Sequence, residues 1–247
     1  MVTFVLSGER IGPGLEYAAW LARSSAQAGA QAGGRRGLLG VQVVSDGDAI
    51  LDLLGARATR RVARLLGGWG TTLTLGTSVA AIEADAVRMV DGRRLGSDLT
   101  AVVGPLRGPD ISFSDSLTDA AGFVVVDGFL RSPRDASVFA AGDALSVPGA
   151  RWRRTWQLSV RQAATVAGNV VASLGHAGPQ LREFDAAAAR RLARVSLPDV
   201  GGQALLVVNR KLLVAGRWPR RLRLRMDRAH FARHLPGEET RWQQLPE

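Results

Sequence analysis

Short apolar runs alternate with stretches of helical periodicity along residues 2–75, and this alternation predicts a parallel β-sheet. The run over 38–44 contains no charge, as expected of a strand buried on both faces of such a sheet. Apolar residues recur at helical spacing after Pro13, which a first helical turn tolerates. The predicted order is therefore βαβαβ, with strands over 2–6, 38–44 and 73–75, and helices from residue 13 and over 57–66.

The pattern changes after residue 78, where short segments separated by turns predict an antiparallel meander. The dipeptide Asp91-Gly92 is a hairpin signal between two of these segments. Meander strands are expected over 79–83, 86–90 and 95–99, and a closing strand over 100–103. Beyond them, we expect strands over 123–127 and 138–143, helices over 157–174 and 185–194, and a hairpin over 204–208 and 212–215.

The absence of cysteine from the sequence excludes several kinds of chemistry. Without a thiol there is no disulfide, no thiolate metal site and no cysteine nucleophile. The three histidines, His176, His230 and His234, lack a convincing set of further ligands, so no metal site is expected. No apolar run approaches the length of a spanning helix, about 18 to 20 residues. Residues 1–6 lack the basic start of a signal peptide, and we therefore expect a cytoplasmic protein.

The net charge of +10 is concentrated in one segment. Residues 209–235 contain nine basic residues and one acid, Asp227, which leaves only +2 for the rest of the chain. Apolar residues are interleaved with these arginines: Trp218, Leu222, Leu224, Met226, Phe231 and Leu235. A tail of this composition suits the headgroup layer of an anionic membrane surface. A solvated or partner-covered face is the alternative, and nucleic acid is not expected because no nucleic-acid fold signature accompanies the charges.

The strongest motif lies in the middle of the chain, where Gly122-Phe-Val-Val-Val-Asp127 precedes Ser137-Val-Phe-Ala-Ala-Gly-Asp143. A carboxylate at the end of a strand, beside a glycine, lets a cofactor approach the backbone closely. This arrangement resembles the flavin-dependent pyridine-nucleotide oxidoreductases, and among them the type II NADH:quinone dehydrogenases and their sulfide:quinone relatives. The resemblance implies that Gly142 and Asp143 bind FAD, with Asp143 hydrogen-bonded to the ribityl chain.

A second motif, over 7–18, is similar to the nicotinamide fingerprint of this family, G-x-G-x-x-G-x-E-x-A. Its second half is matched by Gly14, Glu16 and Ala18, whereas Glu9 and Ile11 stand at its first two glycines. Those glycines allow a tight turn and the approach of pyrophosphate to the backbone. An isoleucine side chain would occupy that space, and Glu9 would face two phosphate charges. The NAD(P)H site is therefore expected to be degenerate.

Other residues complete the expected dinucleotide site. At the end of the second strand, Ser45 and Asp46 stand where relatives that use NADH commonly place an acid for the ribose hydroxyls. The resemblance implies that Glu16 lies near the nicotinamide. The cofactor-binding residues expected at this end of the sheet, besides Gly14, are Gly8, Gly12, Ser45, Asp46 and Gly104.

The helix after Asp143 carries a third motif, Trp156-Gln-Leu-Ser-Val-Arg-Gln-Ala163. It is similar to the run A-Q-x-x-x-Q-Q-G that quinone-reducing type II dehydrogenases carry near the flavin, with Gln157 and Gln162 retained. The resemblance implies that the helix N-terminus stabilises the negative charge of a reduced flavin, and that both glutamines act near the electron acceptor. An ordinary packed helix with surface amides is the alternative.

These motifs together predict an α/β fold. A Rossmann-like parallel sheet with an antiparallel β-meander is expected first, then part of a second, FAD-type Rossmann domain, and then a C-terminal α+β tail. The expected segments are a degenerate NAD(P)-binding domain over 1–108, the return segment of the FAD-binding domain over 109–178, and a hairpin with a basic amphipathic tail over 179–247.

The front half of an FAD domain, a strand followed by a G-x-G-x-x-G turn and a helix, has no counterpart in these 247 residues. Without it, the segment around Asp143 is a sheet fragment with unpaired edges, and the FAD site is expected to be incomplete. Three explanations stay open. A partner chain or a homo-oligomer supplies the missing half, the reading frame is truncated, or the chain is a remnant that no longer binds flavin.

Two functions are consistent with these expectations. The first is an NAD(P)H oxidoreductase or a subunit of one, in which a hydride passes from NAD(P)H to FAD and electrons pass on to a quinone-like acceptor. In that case the protein positions the cofactors and stabilises charge. Such an enzyme is expected in the cytoplasm or peripherally on the inner face of the membrane. The second is a non-catalytic Rossmann-type protein retained as a structural or interaction module.

Overall fold

The computed structural model describes residues 1–7, 11–34, 39–46, 54–109, 115–150, 154–175, 180–187, 191 and 195–234. The chain forms two compact units. The first combines Met1–Gly104 with Val195–Glu247, and the second consists of Pro105–Arg194. These units differ from the three segments predicted from the sequence, because residues near the C-terminus share a hydrophobic core with the N-terminal sheet.

The first unit contains the predicted parallel sheet and meander. In chain order its strands are β1 (Val2–Leu6), β2 (Val41–Ser45), β3 (Thr72–Thr74), β4 (Val79–Ile82), β5 (Ala86–Met89), β6 (Arg94–Gly96) and β7 (Leu99–Val103). Helices α1 (Ile11–Gln31) and α2 (Ala56–Gly68) connect the first three strands. The parallel strands are hydrogen-bonded in the order β3-β2-β1-β7, and the meander in the order β4-β5-β6. The α/β fold class is therefore confirmed.

Side chains of the parallel sheet alternate between two covered faces. On one face, Phe4 and Leu6 of β1 belong to the main core, together with residues of α1 and α2. On the other face, Val5 and Val44 pack against the meander strand β5. Because both faces are covered, β2 is buried along its whole length, which explains why its sequence contains no charge.

The second unit contains a short parallel pair of strands and one long helix. The strands are β8 (Val124–Val125) and β9 (Leu145–Ser146), and the helix is α3 (Trp156–Ser173). A small core joins them, in which Val124, Leu145 and Leu158 of α3 are buried together. The helix expected over 157–174 is therefore confirmed, and the helix expected over 185–194 lies partly outside the described residues.

The strand expected over 138–143 is wrong. Phe139 forms only an isolated bridge with Arg131, and Gly142–Ala144 is a 3-10 turn. The physical reason is Gly142, whose φ of 68° lies in the left-handed region that extended strands do not use. The apolar run before it, in which Ala140 is buried and its neighbours are half-buried, takes no part in a strand ladder.

The C-terminal part of the chain returns to the first unit. It forms β10 (Val195–Ser196), β11 (Asp199–Val200), β12 (Gln203–Val208), β13 (Lys211–Gly216) and α4 (Arg217–His234). The predicted hairpin is confirmed as β12 and β13. Its turn residues Asn209 and Arg210 have φ values of 49° and 63°, as a tight two-residue hairpin turn requires.

Among the described residues of this C-terminal sheet, Val200, Leu205 and Val207 are buried in the main core, and Leu212 and Ala215 pack against it. Their burial beside α1 and α2 explains why the C-terminal residues belong to the first unit. Within the described part of the chain, no helix has both the length and the hydropathy to cross a membrane.

The position of Gly14 has no room for a side chain. A Cβ there would clash with Leu6 Cδ2 and lie 3.2 Å from Val103 Cβ. We expect Gly14→Ala to lower the free energy of unfolding by about 1–3 kcal/mol, the usual cost of overpacking, as measured by urea unfolding. Gly67→Ala is the matched control, because a Cβ there meets nothing within 4 Å and alanine favours a helix. Unchanged stability of Gly14→Ala would contradict this packing.

Candidate functional site

Three strand ends meet at one edge of the parallel sheet. Leu6 of β1 pairs with Ser45 of β2 and with Val103 of β7, so the carboxyl ends of these strands lie side by side. Ligands of open α/β sheets bind outside this edge. Gly14 brings α1 directly onto Leu6 and Val103, which is the packing that the third glycine of a dinucleotide fingerprint provides. Gly104 follows β7 at the same edge, where a Cβ would lie 3.8 Å from the hydroxyl of Ser7.

The glycine turn itself, with Gly8, Glu9 and Arg10, lies outside the described residues. Helix α1 begins at Ile11, which is 2% exposed and belongs to the main core. The structure therefore places the Ile11 side chain in the core, whereas the sequence suggested that it occupies the space for a pyrophosphate. Gly12 follows as a half-buried residue in the first turn of the helix.

Ser45 and Asp46 end the second strand as the sequence indicated. Ser45 is 1% exposed, and its hydroxyl donates a hydrogen bond of 3.4 Å to Oδ1 of Asp46. Asp46 is exposed. The structure thus presents a solvent-facing carboxylate at the end of β2, which is the position expected to serve the ribose hydroxyls.

Glu16 lies on the second turn of α1, where residues from the C-terminal region bind its carboxylate. Its Oε1 accepts hydrogen bonds of 2.5 Å from Nη1 of Arg223 and 3.2 Å from the backbone N–H of Asp199. Arg223 also donates to the carbonyl oxygen of Leu197 at 3.1 Å, and its Nε lies 3.5 Å from Oδ2 of Asp227. Burial opposes the charge of Arg223, but its interactions with Glu16 and Asp227 outweigh burial and raise the pKa of the guanidinium.

Sequence reasoning missed Arg223 because it is 207 positions from Glu16 and belongs to a tail that was expected to face an anionic membrane surface or, alternatively, solvent or a partner. The contact leaves the expected role of Glu16 beside a nicotinamide as a prediction. It also shows that α4 has an inner face that binds the rest of the first unit, through Arg223 and Glu16.

The Asp143 carboxylate is presented by a turn next to α3. Asp143 is exposed, and the backbone of Gly142 takes a left-handed conformation. A Cβ on Gly142 would lie 3.2 Å from Oγ of Ser159, so the turn sits close to the start of the helix. Thr155 caps that helix by accepting a hydrogen bond from its backbone. The partial positive charge of a helix N-terminus favours anionic groups at this place.

The two glutamines of α3 have different surroundings. Gln162 is 2% exposed, and its Oε1 accepts a hydrogen bond of 2.8 Å from the N–H of Gly142. From its buried position, Gln162 therefore stabilises the turn that carries Asp143. Gln157 lies on the first turn of α3 and is half-buried. Contact with an electron acceptor stays a prediction for both.

Arg154 is a further residue of this site that sequence reasoning missed. Its Nη1 donates to the carbonyl oxygen of Asp143 at 3.2 Å, and its Nη2 donates to that of Leu145 at 3.0 Å. Its Cζ lies 3.8 Å from the centroid of the Phe123 ring. No motif marks this arginine, because the residues it contacts are distant in sequence.

The described residues fit parts of two cofactors. An exposed carboxylate on a glycine-containing turn fits the hydroxyls of a ribityl chain as a hydrogen-bond acceptor. Gly14 and Asp46 fit a dinucleotide at the edge of the parallel sheet. Across the described ranges, no three His, Cys, Asp or Glu side chains come together as a metal ion would need.

One family model matches more than half of the chain. Its description is pyridine nucleotide-disulphide oxidoreductase, and it matches residues 13–163. This range includes both the second half of the glycine fingerprint and the turn with Asp143. No curated protein matches the chain.

Solved structures share the fold. The sulfide:quinone oxidoreductase from the hyperthermophilic bacterium Aquifex aeolicus has a TM-score of 0.65 at 17% identity, over 92% of this chain and 57% of that one. The ferredoxin reductase for the CYP199A2 system from Rhodopseudomonas palustris has a TM-score of 0.57 at 24% identity, over 84% and 46%. The water-forming NADH oxidase from Lactobacillus brevis has a TM-score of 0.56 at 17% identity, over 83% and 41%. The chain thus spans roughly half the length of these proteins.

Separate variants test the effect of residue 9 on NADH binding and the effect of residue 11 on stability. We expect NADH to bind the unmodified chain with a Kd in the high micromolar range or weaker, a binding free energy of about 5 kcal/mol. Glu9→Gly should tighten binding, because it removes a carboxylate from the pyrophosphate turn. Ile11→Ala should instead lower the free energy of unfolding by about 2–5 kcal/mol, because it empties core volume.

Calorimetry with NADH measures the first effect, and urea unfolding measures the second. Submicromolar binding of NADH by the unmodified chain would contradict the degenerate turn. A fully stable Ile11→Ala would contradict the buried position of this side chain.

Proposed function

The chain belongs to the pyridine nucleotide-disulphide oxidoreductase family, and we propose that it forms the nicotinamide-type domain and the rear part of the flavin domain of an NAD(P)H oxidoreductase. The family relationship drawn from the motifs is thereby confirmed. The observation that carries the proposal is the exposed carboxylate of Asp143, presented beside the N-terminus of α3 by a turn whose backbone is bound on both sides.

In the proposed enzyme, the residues of this chain bind and orient. Asp143 accepts a hydrogen bond from a ribityl hydroxyl. The N-terminus of α3, with Gln157 on its first turn, stabilises negative charge at the edge of the ring system. Gly14 and Asp46 hold the dinucleotide at the edge of the parallel sheet. FAD, when bound, would supply the chemistry of hydride and electron transfer between NAD(P)H and a quinone-like acceptor.

The flavin site needs residues beyond those of this sequence. The 247 residues contain no second G-x-G-x-x-G turn, and that turn is what binds the pyrophosphate of a dinucleotide. We infer that a strand, glycine turn and helix from elsewhere complete the site. A partner chain, a second copy or another segment of the same polypeptide are the possible sources. Because the sequence has no cysteine, its own residues supply no disulfide for electron transfer.

A non-catalytic module is the second candidate. The contacts of two fingerprint residues favour it: Arg223 binds Glu16, and Ile11 packs in the core. Both side chains contribute to internal structure in this chain. A protein that retained the scaffold for binding a partner would keep these contacts without binding a nicotinamide.

Flavin binding separates the two candidates. We expect the purified chain to be colourless, because FAD loses its pyrophosphate contacts. Riboflavin should still bind weakly, with a Kd on the order of 100 µM, and quenching of its fluorescence measures this. Asp143→Ala should weaken riboflavin binding by about tenfold or more, the loss expected for a hydrogen bond to a charged group.

Asp185→Ala is the control, because Asp185 is an exposed carboxylate of the same unit, 62% accessible to solvent. It should leave riboflavin binding unchanged. A yellow protein with stoichiometric flavin would contradict the need for a completing segment. No binding of riboflavin by the unmodified chain would contradict the flavin role and favour the non-catalytic module.

The outer face of α4 supports docking on an anionic membrane surface. Three apolar residues, 36–60% exposed, recur at intervals of four along this face: Trp218, Leu222 and Met226. An exposed arginine directly precedes each of them: Arg217, Arg221 and Arg225. Interfacial helices combine an apolar stripe with cations in this way, and each cation near such a surface contributes about 1 kcal/mol. The side chain of Phe231 and all of Leu235 lie outside the described residues.

We infer from the apolar row and the row of arginines on α4 that the protein is cytoplasmic and binds peripherally to the inner face of the membrane. The inner face of α4 is bound to the rest of the first unit through Arg220 and Arg223. The outer face is therefore held at the surface of that unit, where lipid headgroups reach it.

Vesicle binding tests this docking. We expect the chain to co-sediment with vesicles that contain anionic lipid and not with neutral ones. Binding should fall as salt rises, because exposed charges are screened beyond about 8 Å at physiological ionic strength. Trp218→Ala combined with Met226→Ala should weaken binding even at low salt, since burial of each side chain contributes roughly 1.5–3 kcal/mol that salt does not screen.

Trp20→Ala serves as the control, because Trp20 is 65% exposed on α1 and lies outside the proposed docking face. Equal sedimentation with neutral lipid, or none with either lipid, would remove the membrane proposal. A shift of RNA or DNA that the two apolar substitutions leave unchanged would indicate nucleic-acid binding instead.

A further inference from the structure

The guanidinium of Arg154 is fixed by contacts on three of its sides. Its two terminal nitrogens donate to the carbonyl oxygens of Asp143 and Leu145, at 3.2 Å and 3.0 Å. Its Cζ lies over the ring of Phe123, 3.8 Å from the ring centroid. Phe123 is 7% exposed, so the ring is itself held in place. The guanidinium therefore has a defined plane and two defined hydrogen-bond directions.

These contacts use properties that lysine lacks. A guanidinium is planar and donates in two directions at once, and it stacks on aromatic rings. An ammonium group is a point charge on a flexible chain, and it does not hold two carbonyl oxygens in one fixed geometry. A lysine at residue 154 would keep the charge and lose the geometry.

The turn that carries Asp143 is bound on both sides of its backbone. On the amide side, the N–H of Gly142 donates to the buried side chain of Gln162 at 2.8 Å. On the carbonyl side, Arg154 binds the oxygen of Asp143 itself. The side chain of Asp143 is exposed, and the orientation of this backbone contributes to the direction of its carboxylate.

We propose that Arg154 is a positioning residue for Asp143, which orients the Asp143 carboxylate toward the ribityl chain of a flavin. This inference rests on the proposed flavin role of Asp143. Arg154 acts through the backbone carbonyls of Asp143 and Leu145 and does not touch the flavin. Its contribution to binding should therefore appear only for flavins that carry ribityl hydroxyls.

A comparison of two flavins tests this inference. Riboflavin carries a ribityl chain, and lumiflavin has the same ring system with a methyl group in its place. We expect Arg154→Lys to lower the ratio of riboflavin to lumiflavin affinity by about tenfold, as expected for loss of a hydrogen bond to a charged group. Affinity for lumiflavin should stay unchanged. Fluorescence titration of the full chain measures both.

Further variants link the effect to Asp143. Arg154→Lys combined with Asp143→Ala should lower the ratio no further than Asp143→Ala alone, because the two residues act on one interaction. Phe123→Leu removes the ring beneath the guanidinium and should shift the ratio in the same direction, which keeps the inference testable if Arg154→Lys folds poorly. Arg134→Lys is the matched control, since Arg134 is exposed in the same unit.

The possible outcomes are distinct. Equal losses for riboflavin and lumiflavin in Arg154→Lys would show a general structural effect and overturn the positioning role. An unchanged ratio in Arg154→Lys, while Asp143→Ala lowers it, would overturn the role of Arg154 and leave the proposed function intact. Equal affinity of the unmodified chain for riboflavin and lumiflavin would overturn both the role of Arg154 and the proposed flavin role of Asp143, because Asp143 would then make no ribityl contact.

Discussion

The close approach of α1 to the parallel sheet is the contact on which the first unit depends. At Gly14 the helix backbone lies against Leu6 and Val103, with no space for a side chain. Strand β1 is bound between β2 and β7 in parallel register, so one helix covers the ends of neighbouring strands. The main core forms beneath this contact, and the C-terminal sheet adds to the same core. A larger residue at 14 would separate the helix from the sheet and disturb all of these layers.

The two acids that are predicted to lie near cofactors, Asp143 and Glu16, are each bound by an arginine, but in different ways. Arg154 donates to backbone carbonyl oxygens and leaves the Asp143 side chain exposed. Arg223 donates to the carboxylate of Glu16 itself. An arginine that binds the backbone preserves the ability of an acid to accept a ligand's hydrogen bond, whereas one that binds the carboxylate competes with the ligand.

Elements that depend on local periodicity were predicted well from the sequence. The strand β1, the helix α2 and the meander turn at Gly92 each follow from a few neighbouring residues. The strand expected over 138–143 failed because a short apolar run has the same composition in a strand and in a buried extended segment. Its end was decided by the left-handed backbone of Gly142 and by the bond from Gly142 to Gln162, twenty residues further along the chain.

The sequence by itself determined the family and the α/β class, because motifs of this kind depend on spacings within a few residues. Only the tertiary structure decided that Ile11 belongs to the core, that Arg223 binds Glu16 from 207 positions away, and that Arg154 holds the turn of Asp143. Each of these contacts forms when distant segments fold against each other. Ion pairs and stacked cations have no periodicity along the chain, so no pattern in the sequence indicates which arginine finds which partner.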